Sequence, residues 1–136
     1  MKVKLSEIID AIEMTDRESE HFLDKETGEI VRISEMAMER EEREEAYDTL
    51  DEHGFYRLPT SFDINEYSIM EDFVYSLPES QCKRLAGAIC GRGAFRRFKD
   101  CIRQMGIDEQ WYEYQGDAYK RMAAEWCENN GLEYEL

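Results

Sequence analysis

His21-Phe22-Leu23-Asp24-Lys25-Glu26-Thr27-Gly28-Glu29-Ile30-Val31-Arg32-Ile33 sets two short strand-forming runs on either side of a turn. Gly28 can take a positive φ there without steric cost, so the segment predicts a β-hairpin. Further along, Phe55-Tyr56-Arg57-Leu58-Pro59 reads as a short extended strand able to join that hairpin. Pro59 has no N–H to donate and ends the ladder. The expected sheet is three-stranded and antiparallel.

Helical spacing surrounds it. Leu5, Ile8, Ile9 and Ile12 share one face of a short amphipathic helix near 6–14, with Ser6 in position to cap it. The run 36–52 is rich in Glu, Arg, Ala and Met, with opposite charges four apart such as Glu39/Arg43 and Arg40/Glu44. It predicts a solvated helix that stops at Gly54. From Asp63, read as an N-cap, the stripe Ile64, Tyr67, Met70, Phe73, Val74 and Leu77 predicts another helix. Ser76-x-x-Glu79 has the spacing of a capping box for the next, whose face is Cys82, Leu85, Ala86, Ile89 and Cys90, with Gly91 as its end. A helix over 93–105 follows. A last one opens near Asp108, carries Trp111, Tyr119, Met122, Ala123, Trp126 and Cys127, and stops at Asn129-Asn130-Gly131. Leu132-Glu133-Tyr134 is a tail strand or a docked coil.

The expected class is α+β: a small three-stranded antiparallel sheet with about six helices, the C-terminal half a helical bundle. The halves divide near 1–60 (mixed α/β) and 61–136 (helical), as subdomains of one domain, because each is small for an independent core.

The 36% of charged residues would suit a disordered chain, but two Trp, eight Tyr and six Phe supply the bulky apolar area that a folded core requires. No apolar run has the length of a bilayer span, and the N-terminal segment lacks an apolar signal core, so a cytoplasmic protein without membrane contact is expected. Cys82, Cys90, Cys101 and Cys127 lack C-x-x-C spacing and fall on or beside apolar helix faces. Cys82 and Cys90, two turns apart on one helix, stand about 12 Å from each other, beyond disulfide reach. Reduced, buried thiols are expected.

Charge is the most uneven property of the chain. Between Lys83 and Arg103 there are seven cations (Lys83, Arg84, Arg92, Arg96, Arg97, Lys99, Arg103) and one acid, Asp100, a local +6 within a total of −15, leaving −21 elsewhere. On a helical wheel, Arg96, Lys99 and Arg103 fall within about 40° of Arg92. Phe95, Phe98, Ile102 and Met105 make the adjoining apolar face. The Gly91-Arg92-Gly93 lead-in sets flexible backbone at a helix N-terminus, where free N–H groups, the macrodipole and guanidinium donors favour an anion. Gly91, Arg92, Gly93, Arg96, Arg97, Lys99 and Arg103 are therefore the candidate anion or partner site. The structural alternative makes Gly91 a helix C-cap, Gly93 a corner, and pairs the arginines with carboxylates of the same molecule.

Catalytic signatures are missing. No phosphate loop, dinucleotide fingerprint, H-E-x-x-H or G-x-S-x-G occurs, and no catalytic residue, metal ligand or cofactor is assigned. Asp24-x-Glu26-x-Gly28 misplaces the glycine of a calcium loop. His21 reads as a strand-surface residue, and His53 as a partner for the C-terminal dipole of a helix. Pairs such as Glu71/Asp72 and Glu41/Glu45 are expected by chance among 32 acids.

The stretch Gly91 to Asp100, with Thr27-Gly28-Glu29-Ile30-Val31, Arg57-Leu58-Pro59, Trp111 and Trp126, resembles an uncharacterised bacterial protein family, 0158, of small acidic proteins. The resemblance runs over nearly the whole chain and marks Gly91 to Lys99 as its hallmark, but it implies no activity, substrate or cofactor.

Three functional readings stand. The first is a binding protein whose basic helix edge docks an acidic or phosphate-bearing partner, including a second copy through the Glu39 to Glu45 run. The second is an acidic nucleic-acid mimic that occupies a basic protein. The third is an enzyme acting on a phosphorylated small molecule. Duplex nucleic acid is a poor partner for the first, because the remaining negative charge repels it.

Overall fold

The computed structural model describes residues 1–136. Its order is β1 (Lys2–Lys4), α1 (Leu5–Glu13), β2 (Ser19–Asp24), β3 (Ile30–Ser34), α2 (Arg40–His53), β4 (Phe55–Arg57), α3 (Ser61–Ile64), α4 (Glu66–Ser76), α5 (Glu79–Ala88), α6 (Ala94–Met105), α7 (Asp108–Asn129) and β5 (Glu133–Glu135). The α+β class, the three-stranded antiparallel sheet and the helical C-terminal half are all present. No helix is long and apolar enough to cross a membrane.

Two units divide the chain, Met1–Ile64 with Tyr119–Leu136, and Asn65–Ala118. In the first, the sheet order is β3-β2-β4, with Phe22 opposite both Val31 and Arg57. Strand alternation sends Phe22, Val31, Ile33 and Phe55 to one face, where Leu50 and Ala46 of α2 meet them. Phe22 and Phe55 pack edge to face at 5.3 Å. His21 and Leu23 take the opposite face, so the central strand β2 is covered on both sides and buried at five of its six positions. The hairpin turn is fastened by Asp24, whose Oδ1 accepts the amides of Glu26 (2.8 Å) and Thr27 (3.0 Å), with Gly28 at φ +75°. Trp126 Nε1 donates to the Arg57 carbonyl at 2.8 Å and thereby ties α7 to β4.

A second sheet was not legible in advance. β1 pairs in parallel with β5, Val3 opposite Tyr134, joining the two ends of the chain. This makes the tail a strand. It also moves the start of α1: β1 holds Lys4 in extended backbone at the cap position, and Ser6 lies inside the helix rather than capping it.

Four further expectations change. α2 starts at Arg40 because Met36 to Met38 are drawn into a turn, with the Ser34 hydroxyl accepting the Ala37 amide. Asp63 does not cap α4. Thr60 and Asp63 instead bond reciprocally and open the single turn α3, and Asn65, in the left-handed region at φ 46°, caps α4 by accepting the Ser68 amide. Ser76 gives its hydroxyl proton to the Phe73 carbonyl, so no capping box forms with Glu79, and α5 follows Pro78 directly. The four cysteines are all free, yet only Cys127 is buried, and Cys90 is exposed.

Candidate functional site

In the second unit an aromatic cluster positions the basic helix. Phe98 of α6 packs edge to face on Trp111 of α7 at 4.9 Å and on Phe73 of α4 at 6.1 Å, while Phe73 and Trp111 meet at 5.4 Å. Ala94, Phe98 and Ile102 are buried, and Phe95 stacks edge-on against Tyr67. The Tyr67 hydroxyl donates to the Ile89 carbonyl at 2.7 Å. With that stripe facing inward, 3.6-residue periodicity turns Arg96, Lys99 and Arg103 outward along roughly 10 Å of helix. All three are exposed.

The glycines shape the corner before α6. Gly91 (φ +77°) and Gly93 (φ +75°) both stand in the left-handed region, and Gly93 is the residue at the N-cap. Because the helix begins at Ala94, Arg92 lies in the corner and not on the helix, so the wheel applies to Arg96, Lys99 and Arg103 only. Arg92 is also exposed.

Arg97 has a separate role. Its Nε donates to the Ala88 carbonyl at 2.9 Å, and its two terminal nitrogens donate to the carbonyls of Arg92 and Cys90. Those acceptors are the free carbonyls at the end of α5 and in the corner, where a cation also meets the negative end of the helix dipole. Arg97 thus serves as a clasp between α5 and α6.

The other cations differ in their surroundings. Lys83 pairs with Glu79 at 3.1 Å, and Arg84 donates to Gln104 at 3.3 Å. The side chains of Arg92, Arg96, Lys99 and Arg103 have no hydrogen bond or ion pair within the chain. The arginines of the segment are therefore not neutralised by the molecule's own carboxylates.

Two polar centres of the first unit escaped sequence reading. Asp24, nearly buried, accepts from His53 Nδ1 at 2.7 Å across 29 positions, and His53 Nε2 lies 3.4 Å from Glu26. The hydrogen bond to Asp24 raises the His53 pKa, against partial desolvation and with help from the charges of Asp24, Glu26 and Glu52. Desolvation pushes the Asp24 carboxyl up, but the His53 bond and the two turn amides outweigh it and bring it below the ordinary value. His21, expected at the strand surface, is 4% exposed, and burial followed by the Arg32 charge lowers its pKa. No group of three or more His, Cys, Asp or Glu side chains is arranged to hold a metal ion.

A family model described as "Uncharacterised protein family (UPF0158)" matches residues 1–136. No curated protein and no solved structure matches the chain.

Proposed function

We propose, of a chain that belongs to the uncharacterised protein family UPF0158, that it is a binding protein whose α6 edge docks an acidic or phosphate-bearing partner. One observation supports this above the others: Arg92, Arg96, Lys99 and Arg103 are exposed and without intramolecular partners in a molecule of net charge −15. Such a molecule has abundant carboxylates with which to neutralise four cations, and here it leaves them in water. Guanidinium groups match carboxylate and phosphate oxygens in paired geometry, and Lys99 adds a mobile point charge. The rigid backing of Phe98 and Trp111 keeps the ordering cost of docking low. Gly91, Gly93 and Arg97 build the corner that presents Arg92.

The experiment is fluorescence anisotropy with a labelled Glu-rich peptide and a labelled phosphopeptide, at low and high salt, alongside sedimentation of the protein alone. Binding at low salt that weakens as salt rises, and disappears in Arg96→Glu/Lys99→Glu/Arg103→Glu, is the expected result. Salt-sensitive self-association identifies the acidic α2 of a second copy as the anion. Binding unchanged by the triple reversal, or none to any acidic probe, ends the proposal.

A further inference from the structure

A cavity of about 550 Å³ lies between α1 and the β2–β3 hairpin in the first unit. Glu7 and Asp10 of α1 and Glu29 of the hairpin turn line it, together with the apolar groups of Met14 and Ile30. The three carboxylates have no hydrogen bond or ion pair within the chain. Arg32, also at the wall, is engaged by Asp16 at 3.2 Å.

His21 defines what the cavity can accept. The Thr15 hydroxyl spends its single proton on the Ala11 carbonyl at 2.8 Å, so toward His21 Nδ1, 3.4 Å away, its oxygen can act only as acceptor. Nδ1 therefore carries the imidazole proton, and in the neutral ring Nε2 presents a lone pair. Nε2 has no partner in the chain. Since no fully buried side-chain nitrogen or oxygen is left without a partner, Nε2 must reach solvent, and the cavity that His21 lines provides that access. An acceptor open to the cavity, three uncommitted carboxylates and an apolar wall share one space.

We infer that this cavity binds a small organic cation, an ammonium or guanidinium group on an aliphatic stem. The charged head donates to His21 Nε2 within the negative field of Glu7, Asp10 and Glu29, while Met14 and Ile30 receive the stem. An anion meets three free carboxylates here, and the one cation at the wall, Arg32, is already held by Asp16. A metal ion lacks a convergent donor set, because the side chains line the space instead of meeting at a point. The volume suits a compact ligand.

The test is titration of the whole protein with agmatine and n-butylammonium, using n-butanol, butyrate and Mg²⁺ as comparison probes. Binding is followed by calorimetry and by the ring-nitrogen resonances of His21, with His53 as the internal control. Both cations should bind saturably and move the His21 Nε2 resonance but not those of His53. Glu7→Gln and Asp10→Asn, both at exposed positions that leave the core intact, should each weaken binding about twofold to fivefold. No saturable binding of either cation, equal binding of butyrate or n-butanol, a Mg²⁺ response at His21, or an affinity unchanged in the Glu7→Gln/Asp10→Asn variant overturns the inference.

Discussion

Arg97 reaches back from the first turn of α6 to the Ala88 carbonyl at the last residue of α5, at 2.9 Å, and the same guanidinium takes the carbonyls of Cys90 and Arg92. A residue in the middle of a run of cations thus acts as a helix-end clasp, beside neighbours that point into water. Arg97→Met should lower stability by about 1–2 kcal/mol through loss of charge-assisted hydrogen bonds, whereas Arg96→Met should change it by less than about 0.5 kcal/mol, as exposed substitutions do. Urea denaturation of the two variants makes the comparison. Equal effects would show that the clasp contributes nothing.

Gly93 serves the same corner. Its φ of +75° suits glycine, and an added Cβ would stand 3.1 Å from an Arg97 terminal nitrogen. Gly93→Ala should therefore cost about 1–2 kcal/mol from backbone strain. Part of that cost should vanish in an Arg97→Met background, where the crowded nitrogen is absent. A double-mutant cycle measures the coupling, and strict additivity would contradict the proposed contact.

Phe98 is the aromatic anchor of α6 and is fully buried against Trp111 and Phe73. Its replacement by Ala should cost about 3–5 kcal/mol, and the fluorescence of Trp111 should shift as the ring loses its neighbour. Stability within about 1 kcal/mol of wild type would mean that the cluster repacks freely.

The two histidines should act in opposite directions with pH. The raised pKa of His53 and the lowered pKa of Asp24 make their pair fully stabilising above the ordinary carboxyl value of 3.8 and below the ordinary imidazole value of 6.5. The contribution fades as pH rises through the elevated His53 pKa, and as it falls through the depressed Asp24 pKa. His21 prefers its neutral folded form, so its contribution is complete above 6.5 and declines as pH drops toward its lowered pKa. Stability measured across this range in wild type and His53→Gln should differ most in mildly acidic solution and converge at alkaline pH. A difference independent of pH would refute the pair.

The thiols should separate by access. Cys90 is exposed and should react with an alkylating reagent in the native state. Cys127 is buried, and desolvation together with the Glu128 charge raises its pKa, so it should react only on unfolding. Mass spectrometry after timed alkylation reads the order, and early labelling of Cys127 would place it wrongly.

Local pattern alone determined much of this molecule. The alternation around Gly28, the apolar stripes of α1, α4 and α6, and the stop at Gly54 each depend on residues a few positions apart, and each produced its element. The outward set of Arg96, Lys99 and Arg103 followed from the same periodicity, given Phe98 and Ile102 on the opposite side. What tertiary structure decided is what joins distant positions: the parallel pairing of Val3 with Tyr134, the Asp24–His53 bond, and the burial of His21 beneath α1. It also decided which cation becomes a clasp. Arg97 and Arg96 are chemically identical neighbours, and only the position of the last α5 carbonyls, set by two left-handed glycines and the aromatic packing behind them, gives one of them acceptors and leaves the other in solvent.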